Sequence, residues 1–370
     1  MHVHVDARLL HGGGIGRYVR ELTSRWLLRA DVGRICFLGR PDELTPFLAR
    51  HDRRGVGAVV PWTDPPYSAI AQARWPRLAR ACGDDPNVTF FPHYDVPLVR
   101  HPSPSVVTVH DLIQFELPAG FPWWKRVLGR RLLGGALARA GAVVTVSETS
   151  RHAICRNAPA MCNKVHVVRN GIGEAFRPLG PGEIRAAHEE WGHLRPFVLC
   201  VGPAKAHKNL EHAVRVLAEL PEQEDWRLVL VGPTAAERDR LVRAAGRPDV
   251  GPRVVVEAHV TDDRLRALYS MSNVVLVPSL LEGFGLPVLE ARACGADVLA
   301  GDLAWSRELT ASGVRLVPGW SPSVWAREVR EARRAGPSAD HASWSWSSAA
   351  EQTFEILRGV TEVGDTSRTA

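Results

Sequence analysis

The chain has no apolar run long enough to cross a bilayer, no Cys-x-x-Cys pair, no run of five basic residues and almost no lysine. Each absence excludes something. A membrane-spanning helix needs about 20 consecutive apolar residues, and Met1-His-Val-His-Val-Asp6 reads as a first strand rather than a signal peptide, so a cytoplasmic protein is expected. The six cysteines, at 36, 82, 155, 162, 200 and 294, have no neighbouring histidines at zinc spacing, which predicts reduced structural thiols and no metal site. The formal charge of +6 is spread without a basic block, so no nucleic-acid partner is predicted. A peripheral contact with an anionic membrane surface stays open, as does the modest basic bias of a phosphate-binding enzyme. Of 46 basic residues only Lys125, Lys164, Lys205 and Lys208 are lysine, and two of these share one loop. Lysine supplies a compact, mobile point charge where arginine supplies a fixed fork, so a loop that keeps lysine in an arginine-rich chain is a candidate anion contact.

What is present is the patterning of a globular protein of two domains, with 370 residues, 45% hydrophobic and 23% charged. Short apolar runs alternate with amphipathic helical patterns, as in parallel α/β architecture. Strands are predicted at 2–6, 34–38, 88–91, 105–110, 142–147 and 165–168, then at 196–202, 226–232, 254–258, 273–278, 297–300 and 314–317. Between the two sets, Phe176-Arg-Pro-Leu-Gly-Pro-Gly182 is rich in Pro and Gly and reads as a linker. The fold class is therefore α/β, with two Rossmann-like doubly wound parallel-sheet domains, 1–175 and 176–345, facing a cleft. Residues 346–363 form a last helix that either packs locally or returns to the first domain, and 364–370 a polar, disordered tail.

Four segments carry candidate chemistry. Glu282-Gly-Phe-Gly-Leu-Pro-Val-Leu-Glu290 follows a buried strand and enters a helix with Pro287 in its first turn. Gly283 and Gly285 let backbone amides approach a ligand, and the positive helix end attracts anions. Glu290, a turn further on, suits the vicinal hydroxyls of a ribose and Glu282 those of a hexose; either alone reads equally as a solvated charge. Val201-Gly-Pro-Ala-Lys205-Ala-His207-Lys208-Asn209-Leu210 also leaves a strand for a helix, and holds two lysines. His11-Gly-Gly-Gly-Ile-Gly16-Arg17 is a phosphate cradle or a plain tight turn before a helical pattern from Tyr18 to Leu28. Val107-Thr-Val-His110-Asp111 ends a strand with neighbours that point to opposite sides, which makes His110 a substrate contact or a strand cap rather than half of a catalytic dyad.

The order strand, Pro-Ser, Glu282, Gly-Phe-Gly-Leu-Pro, Glu290 resembles the signature of the retaining glycosyltransferases of the sucrose-synthase and mannosyltransferase family, glycosyltransferase family 4-like. Asp6-Ala-Arg8 with the glycine loop, His110-Asp111, Lys208-Asn209, Ser147-Glu-Thr-Ser-Arg151, Asn170-Gly171, Val231-Gly-Pro233 and Val260 with Leu265 and Tyr269 extend the resemblance over nearly the whole chain. It implies the GT-B fold with a C-terminal helix crossing back to the first domain. It also implies a donor site for a nucleoside-diphosphate sugar at Gly14, Gly16, Gly202, Lys205, Lys208, Asn209, Val260, Glu282, Phe284, Gly285, Leu286 and Glu290, with His110, Lys208 and Glu282 in catalytic roles. Acceptor contacts are expected from Arg17, Tyr67, His93, Tyr94 and Asp111. That region, with Phe121-Pro-Trp123-Trp124, is where members differ, and its aromatic rings either stack on a sugar or pack into the core. The family's usual arginine before the lysine is His207 here, and Gly173 stands where an acidic residue is common.

No Asp-x-Asp triplet occurs, so no metal bridging the donor diphosphate is expected, and no cofactor is expected beside the sugar-nucleotide substrate. Leaving-group charge then falls on Lys208, Lys205, the amides of 284–286 and the loop of Gly12 to Gly16. The resemblance implies retaining transfer of a hexose, GDP-mannose-like as first expectation, to a hydroxyl of a glycan, lipid-linked or natural-product acceptor. A sugar-nucleotide hydrolase or epimerase and a non-catalytic sugar-nucleotide scaffold stand as alternatives. The base, the acceptor and the oligomeric state are not legible in the sequence.

Overall fold

A computed structural model describes residues 1–82, 86–97, 104–117, 122–333 and 344–366. The chain divides into two units, Met1–Gly171 with Ser345–Ala370, and Ile172–Trp344. The first holds a seven-stranded sheet in the order β3-β2-β1-β4-β5-β6-β7. These strands are β1 (His2–Asp6), β2 (Arg34–Gly39), β3 (Gly57–Pro61), β4 (Val88–Phe91), β5 (Ser105–Thr108), β6 (Ala142–Thr145) and β7 (Val165–Val167). The second holds six, in the order β10-β9-β8-β11-β12-β13, from β8 (Phe197–Val201), β9 (Arg227–Val231), β10 (Val254–Glu257), β11 (Val274–Val277), β12 (Val298–Gly301) and β13 (Arg315–Val317).

Every pairing is parallel. Strands covered by helices on both faces need continuous apolar runs, and β4, β6 and β11 are buried at all four positions. In each sheet the order reverses beside the first strand, between β1 and β4 and between β8 and β11. Loops leaving the carboxyl ends at such a switch point splay apart and leave room for a ligand.

The last helix, Trp346–Thr366, packs in the first unit: Trp346, Ala349, Phe354 and Leu357 join Tyr18, Trp26 and Phe90 in one core, and Trp26 Nε1 donates to Ala350 O at 2.9 Å. A Cβ at Gly171 would lie 2.1 Å from Trp346 N, so that crossing admits only glycine.

The structure departs from expectation in five places. Strand β3 was not foreseen: it is a sheet edge with only Val60 buried, so its apolar signal is weak, and Pro61 is tolerated at an edge. The first helix begins at Gly13, not Tyr18, so the glycines form its opening turn. The 176–182 segment lies within the second unit rather than between the two, and there the buried Arg266 donates to Arg177 O at 2.8 Å and Pro178 O at 2.9 Å. The last helix continues over 364–366, and 367–370 lie outside the described residues. Finally, Cys36–Cys82 and Cys155–Cys162 are disulfides, leaving Cys200 and Cys294 as thiols. Cys36 lies in β2 and Cys82 just after the helix Ala69–Ala81, so tertiary packing, not spacing, brings them together.

Candidate functional site

In the second unit the switch point sets the loop after β8 beside the loop after β11, and the backbone ties them, Leu280 N donating to His207 O at 2.7 Å. Lys208 Nζ donates to Glu282 Oε1 at 2.6 Å, with both side chains largely shielded, 13% and 9% exposed. Gly202 makes that reach possible. It has φ +140, and a Cβ there would lie 3.2 Å from Lys208 Cε, so the lysine stem crosses bare backbone. Asn209, with φ 50 and ψ 39, turns the chain into the helix Leu210–Glu219, and Lys205 is exposed at the start of the same turn.

His207 stays below its ordinary pKa of 6.5, first through burial and then through the charges of Lys208 and Lys205, against the pull of Glu282. It is neutral at neutral pH and does not supply the charge that an arginine would.

Gly285 is the N-cap of the helix Leu286–Ala293, with φ 89 and a Cβ position 2.8 Å from Leu309 Cδ1, so neither the conformation nor the space admits a side chain. Phe284 is buried edge-on to Trp344 at 5.5 Å, and Leu286 is half-buried. Glu290, 4% exposed, accepts from Tyr269 Oη at 3.2 Å. Val260 is half-buried in the loop after the edge strand β10, while Tyr269 of the following helix reaches Glu290. The two glutamates that the sequence placed together thus differ: one holds a lysine, the other a tyrosine hydroxyl.

The first unit has its own charged cluster at the β1/β4 switch point. Arg8 forks onto Asp6, with Nη2 at 2.6 Å and Nε at 3.0 Å, and reaches Asp95 Oδ2 at 3.0 Å while stacking 3.6 Å above the Trp62 ring. Asp95 N donates to His93 Nδ1 at 3.1 Å, which leaves Nε2, 3.2 Å from Asp6 Oδ2, as the protonated nitrogen. Burial is the largest effect on the Asp6 carboxyl and would raise it, but Arg8 and His93 together outweigh burial and hold it far below the carboxylate range. Asp95 also accepts from Tyr67 N at 2.6 Å and fixes that residue at φ 62. The Tyr67 ring, 44% exposed, lies 5.7 Å from Tyr94 and 6.1 Å from His93. Burial pushes the Tyr94 hydroxyl up to about 12.

The structure therefore gathers Tyr67, His93 and Tyr94, and adds Asp6, Arg8 and Asp95, which had not been named as site residues. The available signal was a charge closing one buried strand, Asp6, and two charges in the loops after buried strands, Arg8 and Asp95.

The remaining candidates have separate positions. His110 Nε2 donates to Pro92 O at 2.8 Å and sits edge-on to Tyr18 at 4.9 Å; burial, with His93 adding to it, lowers its pKa to about 4 despite that bond. It is a neutral imidazole with Nδ1 as its acceptor. Asp111 Oδ1 accepts from Ile113 N at 3.1 Å, at the start of the short helix Ile113–Glu116. Gly14 is exposed in the first turn of Gly13–Trp26, whereas Gly16 is required by packing, a Cβ there falling 2.4 Å from Leu10 O. Arg17 is half-buried in that helix, Trp123 and Trp124 are exposed, and Phe121 lies outside the described residues. Among the described residues His4, Cys36 and Cys82 offer ligand atoms within 4.8 Å of one another, but the disulfide joins both sulfurs and leaves no thiolate for a metal.

Two doubly wound parallel sheets, each with its order reversing beside its first strand, are the architecture of the GT-B fold. Residues 12–175 match the family described as Glycosyltransferase Family 4, and residues 184–343 that described as Glycosyl transferases group 1. The D-inositol 3-phosphate glycosyltransferase of Xylanimonas cellulosilytica is 30% identical over 294 residues, 73% of this chain and 68% of that protein. The alpha-maltose-1-phosphate synthase of Mycobacterium tuberculosis is 29% identical over 70% of this chain and 73% of its own. Among solved structures, Anabaena HepE in complex with UDP-glucose superposes with TM-score 0.70 at 17% identity, over 99% of this chain and 100% of that one. Sucrose-phosphate synthase from Thermosynechococcus elongatus gives 0.68 at 18%, over 100% and 98%. The chain belongs to the group 1, family 4 glycosyltransferases.

Proposed function

We propose that this glycosyltransferase moves a hexose from a nucleoside-diphosphate sugar to an acceptor hydroxyl, with retention at the anomeric carbon and without a bound metal. The observation that carries the reading is the Lys208–Glu282 pair at the β8/β11 switch point, flanked by the Gly285 helix start. A shielded ammonium held by one carboxylate is poised to exchange it for a diphosphate, which offers more oxygens and more charge. Glu282, released, accepts from the hexose hydroxyls. Glu290 accepts from the ribose hydroxyls, oriented by Tyr269.

With His207 neutral, Lys208 and Lys205 are the cations of the β8 loop, and they face the charge that grows on the departing diphosphate. Retention fits the family and a site in which the departing phosphate takes the acceptor's proton on the same face. In the first unit, the Tyr67 and Tyr94 rings beside the Asp6, Arg8, Asp95 cluster form the acceptor surface, and the neutral His110 offers Nδ1 as a hydrogen-bond acceptor. A GDP-mannose-like donor was the first expectation; the UDP-glucose held by HepE sets UDP-hexoses beside it.

Turnover tests this directly. The chain is incubated with GDP-mannose, UDP-glucose, TDP-glucose or ADP-glucose, with and without sugar and lipid-linked acceptors, and nucleoside diphosphate is measured with and without a chelator. Acceptor-dependent release that survives chelation is expected. Release at an equal rate without acceptor makes the protein a hydrolase, and nucleotide binding with no release from any donor makes it a scaffold.

A further inference from the structure

The helix Trp123–Arg139 has two unlike sides. Gly129, Leu132, Leu133, Ala136 and Leu137 are buried, and a Cβ on Gly129 would stand 3.2 Å from Gln114 Nε2 and 3.3 Å from the Phe115 ring, so that side is pressed against the protein. On the opposite side, at successive i, i+1, i+4 and i+5 positions, Trp123 is 73% exposed, Trp124 51%, Val127 45% and Leu128 43%. The same side continues to exposed Arg131, with Arg130 at its edge and open space around Gly134. The helix sequence carries Lys125, Arg126, Arg130, Arg131 and Arg139 and no Asp or Glu.

Single exposed apolar residues are ordinary; four adjacent ones, two of them indoles, on one helix face are a contact surface. Tryptophan partitions to the boundary between headgroups and acyl chains, and arginine to the phosphate layer above it.

We infer that this helix docks the chain on an anionic lipid surface, Trp123 and Trp124 entering the headgroup layer and Arg130 and Arg131 meeting lipid phosphates. Charge selects this occupant over a second copy of the chain, since two copies face to face would set the basic residues of one helix against those of the other. The face belongs wholly to the first unit and owes nothing to the donor-site reading.

Flotation of the full chain with vesicles tests it, using phosphatidylcholine alone or with about a third phosphatidylglycerol, a charge density at which basic residues bind measurably. Recovery with the anionic vesicles, falling with salt, is expected. The Trp123→Ser/Trp124→Ser variant should partition about tenfold more weakly or worse, and Arg130→Glu/Arg131→Glu likewise, with thermal unfolding unchanged in both. Should the tryptophan variant fail to fold, the arginine reversal gives the answer alone. Equal recovery with neutral and anionic vesicles, or unchanged binding in the folded variants, overturns the inference. So does self-association that the tryptophan variant abolishes in a chain that ignores vesicles.

Discussion

Replacing Lys208 with alanine is expected to lower kcat by about 10²- to 10³-fold, the loss typical of one preorganised donor aimed at developing charge. The structure makes the effect separable from the loss of a partner for Glu282. Lys208 Nζ lies 2.6 Å from Glu282, so the variant strands a carboxylate whose side chain is only 9% exposed, in a position to repel the incoming diphosphate. A second variant, Lys208→Ala with Glu282→Gln, removes that repulsion. If the lysine stabilises the leaving group, donor KM improves in the double variant while kcat stays low. Recovery of kcat would mean that Lys208 only neutralises Glu282.

Glu290→Ala should weaken nucleoside diphosphate binding by roughly 10- to 100-fold, because a carboxylate accepting from two ribose hydroxyls contributes about 1.5 to 3 kcal/mol through charge-assisted bonds. The residue is buried, and Tyr269 Oη reaches it at 3.2 Å, so its geometry is set before a ligand arrives. Comparison with 2′,3′-dideoxy nucleotides isolates the contact. The wild type should prefer the ribose form by the same factor, and the variant should not distinguish the two. Tyr269→Phe should fall between them, since it removes an orienting bond and leaves the carboxylate. Equal ribose preference in wild type and Glu290→Ala would remove Glu290 from the site.

The strands were legible because burial on both faces demands continuous apolar runs, as in Val274-Val-Leu-Val277. Strand β3 was not, because an edge strand with one buried residue gives little signal. The candidate loops were legible for the same reason as the strands: glycine and charge immediately after an apolar run mark a carboxyl end. Partnerships were not. Lys208 and Glu282 are 74 residues apart and meet only because β11 pairs with β8 on the side opposite β9. Cys36 and Cys82, or Arg8 and Asp95, depend on tertiary packing in the same way. Glycine spacing was ambiguous as well: Gly285 answers to a left-handed turn at a helix start, Gly16 to the contact with Leu10 O.

Nucleotide binding by the second unit is the property on which donor recognition rests. Thermal unfolding of the wild type and Glu290→Ala should be followed with GDP, UDP, TDP and ADP, without metal and with magnesium. At about 100 times its dissociation constant, a bound diphosphate adds ~2.7 kcal/mol to the native state. At least one diphosphate should stabilise the wild type without metal, and Glu290→Ala should lose most of that response. No stabilisation by any of the four, or a full response in the variant, would contradict donor recognition by this unit.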